Sequence, residues 1–579
     1  MRHTYRNLLA FLAIAFLLSA CHSVPDHARY LPKDATVVVG VNTNVLNKKI
    51  AWSAITGSKL IDELEKGSEM GAAREKMEDL KNAGISYSST LYYYFKTDNR
   101  YPSNSKMGLV LPLSSESKWE AYLKKNFPAA TIASQKDFKT AMLDDKALAG
   151  WNKDVLVIQN PLRQRTSEQV ALAAPEGDTT GTEYETIEGW GAVDEPATLA
   201  EIQNTFSLKK ENSLVKDDHF SRLAKEDNDI SVFVNYSNLM DAVSAAGMGM
   251  GTGMAQSLWQ NAALTAGINF KDGLIASDMH FFPSQSMEEV TEKMSGTNVD
   301  KDLVNRLPGN NLNMVMAYHL STDGLRAMMD KMGLLGMMNL GLSAQGLNVD
   351  EILNAFTGDL AFTVNNFRME EQTVTVDSFL LSYMDTADLK HWEPSMDFLF
   401  AMKIKNKASI DKLLALAKQQ GLQDMGNGHY QMGNMPGGGH LLLNNDYLAA
   451  GNNLAQLQAF INNKTATGLQ QPASGIVTGH PLGYFIDAQS MLQQVPLHTA
   501  GGGTDSALLA ESQKLFKTVT VTGGDFKKQS LNYHMEVNLM DKSENALLQV
   551  LQMIQNIAAV SNSEKAATAK TAVVPAPAP

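Results

Sequence analysis

The sequence contains one cysteine, Cys21, among 579 residues. A single cysteine excludes an intramolecular disulfide framework and any zinc site built from several thiolates. Basic residues are also in deficit, since 49 Lys and Arg stand against 62 Asp and Glu, for a net charge of −13. Nucleic-acid binding depends on a basic face that neutralises phosphates. This charge balance therefore argues against a nucleic-acid partner.

Recognisable catalytic and cofactor motifs are missing too. None of the 12 histidines belongs to an H-E-x-x-H pair, so a helical zinc site has no support. The glycine-rich stretch 247–253 lacks the lysine of a phosphate-binding loop, and 341–346 is one residue too long for a G-x-S-x-G elbow. Asp217, Asp218 and His219 form the densest cluster, which we interpret as a helix cap in preference to a metal site. We expect no cofactor, no metal and no enzymatic activity.

The N-terminus has the pattern of a secretory signal. Arg2 and Arg6 precede an apolar run of 11 residues, 8–18, which is shorter than the roughly 20 residues of a membrane-spanning helix. Leu18-Ser19-Ala20-Cys21 resembles the bacterial lipobox, which implies cleavage after residue 20 and acylation of Cys21 by diacylglycerol and a palmitate-type chain. No aspartate follows the cysteine, and in this the sequence resembles lipoproteins that are sent to the outer membrane. We therefore predict an outer-membrane lipoprotein whose body faces the periplasm.

Strand and helix signals recur in the same order along the chain. Leu31-Pro32-Lys33-Asp34 leads into the apolar stretch 37–41, and Leu307-Pro308-Gly309-Asn310 leads into the apolar stretch 313–318; a helical pattern follows each. Three further correspondences between the two halves follow in the same order. Short turns between the strands favour antiparallel pairing. The sequence thus predicts an α+β fold made by tandem duplication of an antiparallel-sheet-plus-helices unit.

The predicted organisation has five segments. They are a signal peptide (1–20), a lipidated linker (21–29), repeat copy 1 (30–300), repeat copy 2 (301–560) and a disordered Pro/Ala tail (561–579). Within the copies, we expect a long polar loop over Thr166–Pro196 and a hairpin turn at Gly523-Gly524-Asp525.

Methionine is abundant, with 30 residues, and it clusters in two glycine-rich stretches. The members that we select as a possible surface for a hydrophobic ligand or a partner are Met248, Met250, Met254, Met328, Met332 and Met337. Binding of Cu(I) by thioethers and ordinary filling of the core are alternatives. We prefer the hydrophobic surface to copper because no His or Cys joins the methionines.

Three short Asp-Ser/Thr motifs resemble an O-glycosylation pattern of envelope proteins. Their acceptor residues are Thr179, Thr386 and Ser506, all expected in loops. Motifs this short also arise by chance.

Three longer stretches resemble a known family. They are YLPKDATVVVGVNTNVL (30–46), DDHFSRLAKEDNDISVFVNYSNLM (217–240) and FTGDLAF (356–362). The family comprises bacterial envelope lipoproteins catalogued only as a domain of unknown function, so the resemblance implies an anchored envelope protein and supplies no catalytic residues. We expect a binding or scaffold module in the cell envelope. The alternatives are a carrier of a hydrophobic ligand, or a periplasmic hydrolase whose acid and base meet only in the fold; the oligomeric state stays open.

Overall fold

The computed structural model describes residues 23–50, 79–97, 105–143, 147–160, 163–171, 184–245, 258–373, 390–433, 438–500 and 503–571. The predicted signal peptide and Cys21 lie outside these residues.

The described strands are numbered in chain order. They are β1 (Val37–Asn42), β2 (Thr90–Lys96), β3 (Lys106–Pro112), β4 (Ala133–Ser134), β5 (Lys139–Leu143), β6 (Ala147–Trp151), β7 (Val155–Gln159), β8 (Arg163–Ala171), β9 (Tyr184–Val193), β10 (Ile230–Asn235), β11 (Ala263–Lys271), β12 (Leu274–Phe282), β13 (Leu312–His319), β14 (Phe356–Thr373), β15 (Lys390–Ile404), β16 (Gln423–Gly426), β17 (His429–Met432), β18 (Gly439–Leu443), β19 (Tyr447–Gly451), β20 (Leu482–Ile486), β21 (Phe516–Lys527) and β22 (Ser530–Leu539).

The described α-helices are numbered in the same way. They are α1 (Thr43–Lys49), α2 (Glu116–Asn126), α3 (Glu195–Phe206), α4 (Asp218–Leu223), α5 (Tyr236–Ala245), α6 (Glu288–Met294), α7 (Lys301–Asn305), α8 (Thr322–Lys331), α9 (Leu334–Ser343), α10 (Val349–Ala355), α11 (Lys407–Gln419), α12 (Leu454–Ile461), α13 (Ala473–Ile476), α14 (Ala488–Gln493), α15 (Gly503–Leu515) and α16 (Ala546–Thr571).

The described chain forms two compact units. The first comprises 23–49, 79–245 and 263–267, and the second comprises residue 50, 258–262 and 268–571, with the gaps given above. In the first unit the strands pair in the order β4-β5-β6-β7-β3-β2-β1-β10. In the second the order is β16-β17-β18-β19-β15-β14-β13-β20-β21-β22-β12. Every one of these pairs is antiparallel, and the sheets together with the helices confirm the α+β class.

The first eight strands of the two orders correspond one to one, and local contacts repeat with them. In the β6–β7 turn, the side-chain oxygen of Asn152 accepts hydrogen bonds from the amides two and three residues ahead, at 2.9 and 3.0 Å. Asn444 makes the same bonds in the β18–β19 turn, at 2.9 and 2.7 Å. An asparagine whose side chain bonds its own backbone in this way stabilises a tight turn. These repeated details agree with the predicted duplication.

The boundary between the two units lies within β11, between residues 267 and 268, and not between the predicted copies at 300 and 301. The second unit therefore includes β12, which pairs with β22. The predicted bounds of the copies describe the sequence repeat and remain a prediction.

Each unit has its own core. In the first, Trp119 on α2 and Trp151 on β6 are almost fully buried, with ring centroids 6.3 Å apart in an edge-to-face arrangement. In the second, Phe460 on α12 packs edge-on against Tyr447 on β19 at 5.6 Å. Buried aromatic rings supply a large share of the hydrophobic free energy of such cores.

The segment Thr166–Pro196 is not the irregular loop that the sequence predicts. Residues 166–171 belong to β8 and 184–193 to β9, and the two strands pair only with each other in a separate two-stranded sheet. Strand prediction relies on apolar alternation, which reports burial of one face. A ribbon stabilised by its own main-chain hydrogen bonds does not need that pattern.

The hairpin turn between β21 and β22 also differs from the prediction. Gly523 and Gly524 lie within β21, where the register shifts, and both have positive φ angles. The turn is formed instead by Lys528 and Gln529, whose φ angles are 54° and 62°. Glycines tolerate positive φ, so they serve a β-bulge as readily as a turn.

The C-terminal helix extends further than expected. Helix α16 continues to Thr571, so residues 561–571 are helical and do not belong to a disordered tail. This stretch is rich in alanine, the strongest helix former, and the prolines that would end a helix begin only at Pro575. Residues 572–579 lie outside the described part.

Candidate ligand-binding cavity

One open cavity of about 480 Å³ lies entirely within the first unit. Its wall is formed by the segment before β1, by β2, β3 and the end of β7, and by α3 with the loop that follows it. The only aliphatic residues in the wall are Pro32 and Leu208. Ligand sites of roughly 300–1,000 Å³ are usually lined mainly by apolar side chains. A wall with this many charged and amide side chains suits a ligand that makes several hydrogen bonds.

Three lysines and two carboxylates give the cavity its charge. Lys96 lies 2.6 Å from Asp34, and Lys106 lies 2.6 Å from Glu201. Lys33 also lines the cavity and makes no ion pair with the described residues. The side chains of the two pairs are about 20–60% exposed, and pairs of this kind contribute only about 0–1 kcal/mol. Breaking either ion pair so that the lysine binds an anion would therefore cost little free energy.

The floor of the cavity is rigid. Tyr94 is 2% exposed, and burial raises the pKa of its hydroxyl to about 12, so the ring stays neutral at physiological pH. The side-chain amide of Gln159 donates hydrogen bonds to the hydroxyls of Tyr94 and, at 3.0 Å, Thr205. The ring of Tyr94 covers its cross-strand partner Gly108, where a Cβ would lie only 2.5 Å from the Cζ of the tyrosine. Gly108 is thus required for Tyr94 to lie flat at the base of the cavity.

Amide side chains complete the wall. Asn204 projects from α3, and Asn212 lies in the loop behind it. Asn235 accepts a hydrogen bond from the amide of Asn238 at 3.1 Å and so caps α5, while the side chain of Asn238 donates to the carbonyl of Asp34 at 3.0 Å. Each amide carries a donor and an acceptor. The cavity therefore offers both kinds of partner around its rim.

The second unit uses the equivalent positions differently. The pairing registers place Asn365 where the first unit has Lys96, and Asp397 where it has Lys106. Asn365 is 1% exposed and donates to the carbonyl of Asn310 at 2.8 Å. The carboxylate of Asp397 accepts from the side chains of Asn366 and Asn453, at 2.7 and 3.1 Å. Asn365 and Asp397 are thus held by hydrogen bonds to their neighbours, whereas Lys96 and Lys106 form partly exposed ion pairs beside open space.

A separate polar cluster lies in the second unit. Nδ1 of His319 is 2.8 Å from Oδ1 of Asp359, which also accepts from the amide of Asp300, while Oδ2 of Asp359 accepts from the hydroxyl of Thr357. Burial alone would raise the pKa of Asp359, but these hydrogen bonds outweigh it and hold the pKa below its ordinary value. Lys403 forms an ion pair with Asp300. The stretch FTGDLAF thus contributes Thr357 and Asp359 to a buried network.

A histidine oriented by a carboxylate is one half of a hydrolytic triad. Among the described residues, His319 bonds through Nδ1 to Asp359, and no hydroxyl or thiol hydrogen-bonds to its Nε2. Its contacts are those of a structural network.

With this geometry established, the chain can be compared with known proteins. Residues 195–459 match the family model described as Domain of unknown function (DUF4836). The resemblance to a family catalogued only in this way is therefore confirmed over that stretch. The DUF4836 match includes Glu201, His319 and Asp359 but neither Lys96 nor Lys106.

No curated protein matches the sequence. Two solved structures, crystal forms III and IV of TP0453, are similar over 45% of this chain and 81% of theirs. Their TM-scores are 0.25 and 0.24, at 6% and 8% sequence identity. Similarity at this level carries no argument about function.

The described methionines among the predicted site residues have different environments. Met328 on α8 and Met332, directly after that helix, pack against a small core cluster that contains Met287 and Val290. Met337 on α9 is 66% exposed. Met248, Met250 and Met254 lie outside the described residues, so the predicted methionine surface remains a prediction.

The proposed glycosylation sites are only partly described. Ser506 lies within helix α15, not in the expected loop, and its hydroxyl donates to the carbonyl of Leu497 at 3.1 Å. The helix forms there because Gly503 to Leu515 contains good helix formers such as Ala and Leu. Thr179 and Thr386 lie outside the described residues.

Two further observations concern metals and membranes. Asp217 caps α4 by accepting from the amides of His219 and Phe220, both at 2.9 Å, which confirms the capping interpretation of that cluster. Within the described part of the chain, no three His, Cys, Asp or Glu side chains gather as metal ligands, and no helix is long and apolar enough to cross a membrane.

Sequence reasoning missed the cavity residues. Lys96 and Lys106 are single lysines at strand ends, a pattern that ordinary solvent-exposed strands share. No local signal in the sequence distinguishes them, because what matters is the open space in front of them.

Proposed function

We propose that the protein is a non-enzymatic lipoprotein, anchored to the outer membrane through Cys21, that binds a polar ligand in the cavity of its first unit. The observation that carries the proposal is the pair of ion-paired lysines, Lys96 and Lys106, facing a polar cavity of about 480 Å³. The lipobox-like sequence before Cys21 supports the anchor, and the periplasm is then the compartment in which the cavity meets its ligand.

Duplication supports a binding role for one repeat. The second unit uses the equivalent positions to satisfy its own hydrogen bonds, whereas the first keeps charged groups beside open space. Charged and amide groups that are not needed for folding are the usual means by which a pocket orients a ligand.

Occlusion of the cavity tests the binding role. Asn204 is exposed on α3 and lines the cavity, so Asn204→Trp would fill it with little cost to folding. Gln203→Trp is the matched control, because Gln203 is exposed on the same helix and does not line the cavity. Wild type and both variants, as the full mature chain in detergent, are titrated by ligand-observed NMR with a glucose disaccharide, a glucuronate-containing disaccharide and a dialanine peptide. We expect at least one probe to bind wild type and Gln203→Trp but not Asn204→Trp; binding by none, or equal binding by all three proteins, would overturn the role.

The anchor has its own test. Incorporation of radiolabelled palmitate and partition into a detergent phase are expected for wild type and for Ser23→Ala, and are expected to be lost in Cys21→Ala. Labelling that survives Cys21→Ala would show the anchor to be wrong without bearing on the cavity.

A further inference from the structure

We propose that the ligand of the cavity is an acidic saccharide, a sugar that carries a carboxylate or a phosphate among its hydroxyl groups. The inference rests on the proposed binding function and adds the chemical class of the ligand. It follows from three features of the wall: its charge, its hydrogen-bonding groups and its small number of aliphatic side chains.

The charge favours an anion. Three lysines, Lys33, Lys96 and Lys106, face two carboxylates, Asp34 and Glu201, so the cavity has an excess of one positive charge in a chain whose net charge is −13. An isolated positive region on an acidic protein concentrates anions at that place. Lys33, which forms no ion pair with the described residues, supplies an ammonium group that a ligand anion would pair with.

The remaining groups favour hydroxyls. Asn204 and Asn212 present amide donors and acceptors, and Asn235 and Asn238 add the amide atoms that do not bond within the wall. A sugar hydroxyl also donates and accepts at one atom, so adjacent hydroxyls pair well with amides and with a lysine–carboxylate pair. Lys96 with Asp34 and Lys106 with Glu201 supply two such pairs at the cavity wall.

The wall disfavours the other classes. A hydrophobic ligand would find Pro32 and Leu208 as its only aliphatic contacts. A peptide recognised through apolar side chains would likewise find few contacts in this wall. The rings of Tyr30 and Tyr94 lie at the base of the cavity but are buried, so the exposed lysine, carboxylate and asparagine side chains would make most of the contacts to a ligand.

The test compares ligands and lysine variants on the full mature chain in detergent. The probes are a glucuronate-containing disaccharide, glucose 6-phosphate, a neutral glucose disaccharide and dialanine, each titrated by calorimetry at two salt concentrations. The variants are Lys96→Gln and Lys106→Gln, with Lys153→Gln as the control because Lys153 is exposed in the β6–β7 turn, away from the cavity.

We expect an acidic sugar to bind at least tenfold more tightly than the neutral disaccharide, and added salt to weaken its binding. Each cavity-lysine variant is expected to lose about tenfold in affinity, while Lys153→Gln keeps it. The two acidic probes separate a carboxylated from a phosphorylated sugar. Preferential binding of the neutral sugar or of dialanine would overturn the inference that the ligand is an acidic saccharide and would leave the proposed binding function intact. If no probe bound, the inference and the binding function would both be overturned.

Discussion

Lys96 and Asn365 occupy the same register position in two copies of one strand order, but the lysine lines an open cavity and the asparagine is 1% exposed. The two side chains therefore differ in both exposure and bonding partners. Lys96 forms a partly exposed ion pair with Asp34, and Asn365 donates to the carbonyls of Asn310 and Pro308.

The first prediction compares these two residues by truncation. Lys96→Ala should change the free energy of unfolding by less than about 1 kcal/mol, because it removes a partly exposed ion pair. Asn365→Ala should cost about 1–3 kcal/mol, because it leaves buried carbonyls without their donor. Urea unfolding of the full chain measures both. Equal costs would mean that Lys96 is as structural as its counterpart.

The second prediction concerns Gly108. Gly108→Ala should destabilise the protein by about 1–3 kcal/mol, since the new methyl group meets the ring of Tyr94 and forces it off the strand. The control is Gly336→Ala on α9, where a Cβ meets nothing within 4 Å. That substitution should stabilise the helix by up to about 1 kcal/mol. Thermal unfolding followed by circular dichroism separates the two outcomes, and a neutral Gly108→Ala would contradict the role of the glycine.

The third prediction follows from the depressed pKa of Asp359. Because its pKa lies below the ordinary 3.8, the carboxylate contributes stability above that pH and loses it as the pH falls through the folded-state pKa. Asp359→Asn should therefore cost about 1–3 kcal/mol at pH 7, with the difference from wild type shrinking below pH 4. Asp350→Asn, at an exposed position, should have a smaller effect. Urea titrations between pH 3 and pH 7 provide the measurement; a difference that grows on acidification would refute the assignment.

The fourth prediction concerns His534, whose contribution to stability changes with pH in the opposite direction to that of Asp359. Burial lowers the pKa of His534, but hydrogen bonds to Asp278 at 2.7 Å and Glu536 at 3.2 Å raise it above its ordinary 6.5. The stabilising contribution is thus complete below pH 6.5 and disappears as the pH rises through the folded-state pKa. His534→Gln should cost more stability at pH 5.5 than at pH 8.5, and the effect should be small because the histidine is 42% exposed. NMR titration of the imidazole gives an independent check.

The fifth prediction separates two methionines of the same region. Met329 on α8 is 7% exposed, so Met329→Ala should cost about 2–5 kcal/mol through lost contacts and a cavity. Met337 on α9 is 66% exposed, and Met337→Ala should stay within about 0.5 kcal/mol. Chemical denaturation distinguishes these values. A large cost at Met337 would indicate a contact that the monomer does not contain.

Much of the local structure follows from the sequence. Strand β1, the helix containing Trp119, and the cap at Asp217 lie where apolar patterning and capping residues predict them. The predictions that failed share a cause. The ribbon of β8 and β9 and the bulge at Gly523 depend on main-chain hydrogen bonds and backbone angles, which side-chain periodicity does not report.

The sequence by itself determined the α+β class, the recurring order of elements and the acidic charge, because these properties reside in composition and in short-range patterns. Only the tertiary structure decided where a ligand could bind. Lys96, Gln159 and Glu201 are 63 and 42 residues apart along the chain, and strand pairing and helix packing bring them to one cavity. No local pattern encodes such a meeting, since it depends on the register of several strands at once.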